Sequence, residues 1–324
     1  MEAPFDSDDG AVALWQAFCR RLEAAGEMAM RHPAGPKTPL DRAAPAAATD
    51  SVKFFCVPGI GGNVLHLHAL AQRMGGPHRL VALRGGTSRE TLPESVEAFA
   101  ARSVETVLRS QPCGPYMLGG YSGGALIAFE MARQLTAEGH TVGLLALIDT
   151  RRPGWRVRPG NAPAVAYNFL RNLPGWVRDD LAQSSPRQAM RDIVRHLRRL
   201  VGAGPGVERV IDISIYPAEK QLAMQREYDM LEAYRPQPWD GRITLLRAAT
   251  QPLMLLHDEA ALGWSELAGG GIDIVTLPGN HLTIMREPRV SLLAASLRVC
   301  ITAASNTPAS NKPVDEPVRQ HKAA

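Results

Sequence analysis

Short apolar runs alternate with amphipathic stretches through the middle of this chain. Runs at 52–57, 80–83, 116–119, 142–148, 243–247 and 272–277 are rich in Val, Ile, Leu and Phe. Their brevity and apolar character predict buried strands. Apolar positions recur at helical spacing over 63–74, 93–109, 123–137 and 290–302, which predicts helices between and after the strands. Near-continuous apolar strands separated by helices imply a parallel sheet covered on both faces, an α/β architecture. The alternation breaks once. From about 151 to 238 the pattern becomes helical segments punctuated by Pro and Gly, too long for a loop. It predicts an inserted helical subdomain beside the strand ends, where such sheets bind ligands, and hence a lid.

The flanks differ from this middle. Residues 8–30 predict a helix capped by Asp8 or Asp9, with Leu14, Phe18, Leu22 and Ala25 on one face. Residues 32–50 are rich in Pro and Ala and predict a linker. The polar, proline-containing stretch 305–324 is expected to lack regular structure. The division is therefore 1–50 (helix and linker), 51–304 (the α/β domain with its lid insertion at 151–238) and 305–324 (tail).

Composition narrows the classes. The chain has 324 residues, enough for a substantial core without disulfides or metals, and a net charge of +4 that suits an acidic partner better than a basic one. Its four cysteines, Cys19, Cys56, Cys113 and Cys300, form no C-x-x-C pair, so reduced thiols are expected. The acidic N-terminus lacks the pattern of a signal peptide, and no run reaches the roughly 18 apolar residues of a membrane span. A monomeric cytoplasmic protein that binds neither membrane nor nucleic acid is the expectation.

One pentapeptide carries chemistry. Gly120-Tyr121-Ser122-Gly123-Gly124 fits G-x-S-x-G, directly after the predicted strand at 116–119 and at the start of the predicted helix at 123–137. A sharp strand–turn–helix bend holds such a serine in strained backbone angles and demands small neighbours. The helix N-terminus adds partial positive charge where an anion would develop. Ser122 is thus the candidate nucleophile.

A serine hydroxyl needs a base, and the base an orienting acid. His281, in the loop Pro278-Gly279-Asn280-His281-Leu282 after the last strand, is positioned to reach over the sheet. His257 is its rival. His66 and His68, two apart on a helix, point to different faces and make a poor metal pair. Asp149 ends the strand at 142–148, whereas Asp258 and Glu259 follow the next strand at a distance. Strand-end rigidity favours Asp149 over Asp258 without deciding between them.

An oxyanion hole needs two backbone donors, one expected from Gly123 and one from the loop Pro58-Gly59-Ile60-Gly61-Gly62-Asn63, where Ile60 is central. This loop lacks the Lys-Ser/Thr of a phosphate-binding loop and the third glycine of a dinucleotide site.

Several segments then resemble the thioesterase domains of nonribosomal peptide and polyketide synthases. They are Phe54-Phe55-Cys56-Val57-Pro58-Gly59-Ile60-Gly61-Gly62, Gly119 through Ala132 around Ser122, Leu147-Ile148-Asp149, Tyr234-Arg235-Pro236, Gly263-Trp264 and Pro278 through Met285. The resemblance covers about 52–303. It implies the α/β-hydrolase fold, a Ser122–Asp149–His281 triad with Asp149 preferred to Asp258, and Ile60 with Gly123 as oxyanion donors. It also implies release of an acyl or peptidyl chain from the phosphopantetheine of a carrier protein through an acyl-enzyme, with no bound cofactor and no metal. Hydrolysis, cyclisation and transfer all remain open.

Gly123 departs from the family, which often has a side chain there. Tyr121 resembles terminal releasing domains more than editing thioesterases, which tend to place histidine before the serine. A free-standing enzyme and an excised terminal domain are both compatible with the N-terminal extension. The rival readings are a serine esterase or acyltransferase acting on a soluble substrate, and an editing thioesterase. Arginines crowd 151–200, from Arg151 to Arg199, and form either a solvated helix face or a surface that would draw an acidic carrier protein to the lid. Trp155, Tyr167, Phe169 and Trp176 are read as lid core.

Overall fold

The computed structural model describes residues 51–62, 65–83, 92–154, 207, 213, 216–251, 260–306 and 319–322. Strands β1 (Val52–Val57), β2 (His78–Ala82), β3 (Tyr116–Tyr121), β4 (Val142–Ile148), β5 (Ile243–Ala248), β6 (Ile272–Leu277) and β7 (Arg319–Lys322) lie in the order β2-β1-β3-β4-β5-β6-β7. The pairs from β2 through β6 are all parallel. The described α-helices are α1 (Leu65–Met74), α2 (Val96–Ser110), α3 (Gly123–Ala137), α4 (Ala218–Ala233) and α5 (Arg289–Asn306).

Strand side chains alternate between two cores. Phe55, Val57 and Leu118 join Phe99, Val104 and Val107 of α2 and Ile127, Phe129 and Met131 of α3. Phe54, Cys56 and Met117 join Leu67 and Leu70 of α1 and Leu293 and Leu297 of α5. Period-two alternation is thus hidden in the sequence because both faces are apolar. Gly119 has a packing reason: a Cβ there would strike the Phe54 ring and stand 2.8 Å from the Ala146 carbonyl oxygen. The α2 N-terminus is closed by Ser95, whose Oγ accepts from the Ala98 N–H at 3.1 Å.

Observed elements follow the predicted ones closely, with β2 starting two residues earlier and β3 running on to Tyr121. The expectation of an unstructured 305–324 falls mostly on 307–318 and 323–324, which lie outside the described residues; its two described pieces have regular structure. Helix α5 continues to Asn306, and Arg319–Lys322 form a strand placed after β6 in the sheet order. Of the predicted lid, α4 is described. Residues 155–206, which hold most of the arginines and the four lid aromatics, lie outside the described residues, as do the N-terminal helix and linker.

The topology locates the site. From β1 the chain moves outward to β2 and then returns to the other side of β1 as β3. The carboxyl ends of β1 and β3 therefore flank the switch point of the sheet, where a crevice opens. The loop after β1 and the bend after β3 meet there, because Val57 is in register with Gly120.

Candidate active site

Ser122 follows β3 with φ 55 and ψ −125, a region that side-chain-bearing residues seldom occupy. Neighbouring glycines allow the bend. A Cβ on Gly120 would collide with the Gly124 carbonyl, and one on Gly124 with the carbonyl oxygens of Val57 and Pro58. The Ser122 N–H donates to the Ile148 carbonyl at 3.0 Å, so the bend is still tied to the sheet.

Asp149 is held in the same manner. Its N–H donates to the Leu246 carbonyl at 2.8 Å, and its own φ is 45. The Oδ1 atom accepts from the Ala248 N–H at 2.7 Å and from Gln251 Nε2 at 3.2 Å. The Oδ2 atom lies 2.8 Å from His281 Nδ1, and His281 Nε2 lies 3.0 Å from Ser122 Oγ. Burial opposes ionisation of Asp149. The His281 ring, the Ala248 N–H and Gln251 outweigh it and hold the carboxyl below its ordinary value. An ionised Asp149 can only accept, so Nδ1 carries the ring proton and Nε2 is left to accept from the Ser122 hydroxyl.

The loop that carries His281 is shaped by Asn280. Its Oδ1 accepts from the N–H groups of Leu282 at 3.0 Å and Thr283 at 2.9 Å, while Thr283 Oγ1 accepts from the Asn280 N–H at 2.8 Å. These bonds start the 3₁₀ turn Thr283–Met285 and swing His281 back over the sheet.

Tyr121, buried beside Ser122, supports the imidazole. The rings stack with centroids 5.0 Å apart and planes 20° from parallel. The Tyr121 hydroxyl donates to the His281 carbonyl at 2.6 Å. Burial first, then the charge of Asp149, pushes the phenol well above its ordinary range, so it stays a neutral donor.

The loop after β1 lies against this group. A Cβ on Gly59 would stand 3.4 Å from Ser122 Cβ, and one on Gly123 would stand 3.0 Å from Ile60 Cγ1. The N–H groups of Ile60 and Gly123 are engaged by no other described residue. The structure thus brings together Ser122, Asp149, His281, Ile60 and Gly123. The rivals His257, Asp258 and Glu259 lie outside the described residues, and His68 is exposed on α1. Among the described residues no cluster of three His, Cys, Asp or Glu side chains could hold a metal, and no helix is long and apolar enough to cross a membrane.

Three contributors went unassigned in the sequence: Tyr121, Gln251 and Glu227. Glu227 left a visible trace, since it interrupts the apolar stripe Met224–Leu231 of α4 at helical spacing, as a buried acid with a task would. Tyr121 and Gln251 left none, because their partners are backbone carbonyls and a carboxylate far along the chain.

A parallel sheet in this order, bent from strand to helix at a serine, defines an α/β-hydrolase fold. The chain belongs to the thioesterase domain family, a family of hydrolases, whose family model matches residues 52–297. It is 30% identical over 213 residues to the non-reducing polyketide synthase atnG of an Arthrinium species, covering 64% of this chain and 10% of that protein. It is 27% identical over 282 residues to the chondramide synthase cmdD of Chondromyces crocatus, covering 76% of this chain and 6% of that one. The chain therefore spans a tenth or less of the length of these curated relatives. The NocB thioesterase domain, solved as a covalent complex with a fluorophosphonate nocardicin G analog, shares the fold at a TM-score of 0.53 and 23% identity. That match covers 77% of this chain and 94% of NocB.

Proposed function

We propose that this protein releases an acyl or peptidyl chain from the phosphopantetheine thioester of a carrier protein, by way of an ester on Ser122. The observation that carries the reading is His281 Nε2 standing 3.0 Å from Ser122 Oγ at a strained bend, with the imidazole oriented by Asp149. Nε2 accepts the hydroxyl proton as Oγ attacks the thioester carbonyl. The carbonyl π pair moves onto oxygen, where the Ile60 and Gly123 N–H groups stabilise it; such a donor typically contributes about 3–4 kcal/mol. Asp149 remains ionised and offsets the imidazolium charge. The oxyanion then reforms the carbonyl, the C–S bond breaks, and the leaving sulfur takes the proton from His281. Water, or a hydroxyl or amine of the chain or of an acceptor, attacks the acyl-enzyme by the reverse sequence and frees Ser122. No cofactor is needed for any of these steps.

Membership in a family whose relatives here are synthases supports a carrier-borne substrate, and the arginine-rich 151–200 suits an acidic carrier. Challenge with an acyl-phosphopantetheine thioester should add the acyl mass to the wild type and not to Ser122→Ala, read by intact mass spectrometry. An adduct that persists in Ser122→Ala rejects the nucleophile. Turnover of p-nitrophenyl esters with no turnover of any carrier-bound thioester rejects the carrier role in favour of an esterase.

A further inference from the structure

The donor that Ile60 contributes, in the Gly59–Ile60 peptide, opens a turn whose next peptide can face either way. The Gly62 N–H donates to the Gly59 carbonyl at 3.1 Å, which closes a four-residue turn over Ile60 and Gly61. Gly61 has φ +83, and Ile60 is not among the residues with positive φ, so the turn is type II. Types I and II differ by a rotation of about 180° of the middle peptide, here the Ile60 carbonyl with the Gly61 N–H. Glycine at the third position tolerates both. Something outside the turn must select.

Helix α4 supplies it. Glu227, only 5% exposed, accepts from the Gly61 N–H through Oε2 at 2.7 Å. Rotation of the middle peptide would replace that N–H with the Ile60 carbonyl and set oxygen against carboxyl oxygen. The same face of α4 touches both halves of the oxyanion hole. A Cβ on Gly61 would stand 3.2–3.3 Å from Met224, and one on Gly123 would stand 2.6 Å from Leu231 Cδ1. Met224, Glu227 and Leu231 are spaced by three and four residues, one stripe of the helix. The bare Gly123 is what lets Leu231 descend.

We propose that Glu227 is a positioning residue for the oxyanion hole: its carboxyl anchors the Ile60–Gly61 peptide, and with it the turn whose preceding Gly59–Ile60 peptide presents the Ile60 N–H to the reacting carbonyl. The inference rests on Ile60 being an oxyanion donor. Burial first, opposed by the Gly61 N–H, pushes Glu227 up to about 7. An acceptor oxygen faces Gly61 in either protonation state, and the neutral form puts less negative charge beside a developing oxyanion.

The test uses the full chain with Glu227→Gln, Glu227→Asp and Glu227→Leu, each assayed for kcat and KM on a p-nitrophenyl ester and an acyl-phosphopantetheine thioester, and for Tm. Gln keeps the acceptor and should retain at least a third of wild-type kcat. Leu removes it and should lose kcat about 10²-fold with KM within about threefold, the scale of losing one oxyanion donor. Asp withdraws the carboxyl by one methylene and should lose about tenfold. A Leu variant with more than a third of wild-type kcat overturns the proposal, as does a Gln variant that falls as far as Leu. Should Leu fail to fold, the Asp and Gln variants decide at matched Tm, with equal kcat counting against the proposal. Failure here leaves Ser122→Ala inactive, whereas failure of the functional reading shows as an active Ser122→Ala or an inert wild type.

Discussion

Asp149→Asn exchanges one carboxylate oxygen for an NH₂ group, and the structure dictates which. Oδ1 receives two donors, the Ala248 N–H at 2.7 Å and Gln251 Nε2 at 3.2 Å. An amide nitrogen placed there would face both, so the asparagine carbonyl keeps that position. Its NH₂ then takes the place of Oδ2, 2.8 Å from His281 Nδ1. A donor at that point requires Nδ1 to accept, which moves the neutral ring's proton to Nε2, opposite Ser122 Oγ. The base arrives already protonated. A wrong tautomer at intact geometry lowers kcat by about 10⁴ in a comparable triad, or between 5 and 6 kcal/mol at about 1.4 kcal/mol per tenfold. Asp149→Ala removes the forcing donor and should be no slower than Asn, although it loses more structure. The assay is kcat on a p-nitrophenyl ester at pH 7 to 8, with Tm as a control for folding. An Asn variant within about tenfold of wild type, or an Ala variant far slower than Asn, refutes the tautomer argument.

Further outcomes follow from burial and close approach. Glu227 is raised from 4.5 to about 7 by burial, so between those values the folded state binds more protons than the unfolded one and stability falls as pH rises. Glu227→Gln should remove roughly 3 kcal/mol of that decline between pH 4.5 and 7, measured as the wild-type-minus-variant difference in unfolding free energy; a pH-independent difference rejects it. Gly124→Ala forces a Cβ into the Val57 and Pro58 carbonyls, backbone atoms at and just past the end of β1. It should cost about 3 kcal/mol or more, and a Tm within two or so degrees of wild type would contradict the packing. Gly123→Ala meets the movable end of Leu231, so Leu231→Ala should relieve part of its cost, and additivity in the double-mutant cycle would deny the contact.

How much of this was readable beforehand depends on whether a feature is local. The bend at Ser122 is local: strand, two tight glycines and helix are contiguous, and α3 begins and ends where its pattern predicted. Asp149 was favoured because it ends a strand, and the Leu246 carbonyl that grips its N–H is the physical form of that rigidity. Tyr121 was visible as a residue of the motif but not as a support. Its role needs the His281 carbonyl, which only the fold brings within 2.6 Å. Gln251 is equally non-local, since its contact joins the ends of two strands. The strand β7 was not legible because polar, proline-bearing composition carries no apolar alternation to mark it.

The proposed reacting groups divide by what holds them. Ser122 and Asp149 extend neighbouring strands of one sheet, each with its N–H bonded to the next strand, and His281 is clamped between them by Tyr121 and the Asn280 turn. Displacing any of these means breaking sheet hydrogen bonds or core packing, so their geometry should change little as substrates vary. The Ile60 turn is different. It projects beyond β1, contains two positive-φ glycines, and has its outside hydrogen bond to α4, a helix between β4 and β5, rather than to the sheet. A movement of α4 would therefore reach the oxyanion hole directly while leaving Ser122 and His281 in place. On the proposed reading, a substrate or carrier that shifts α4 would change how well the transition state is held without touching Ser122. The reverse arrangement, a sheet-anchored turn and a helix-borne histidine, would make nucleophile activation the variable step.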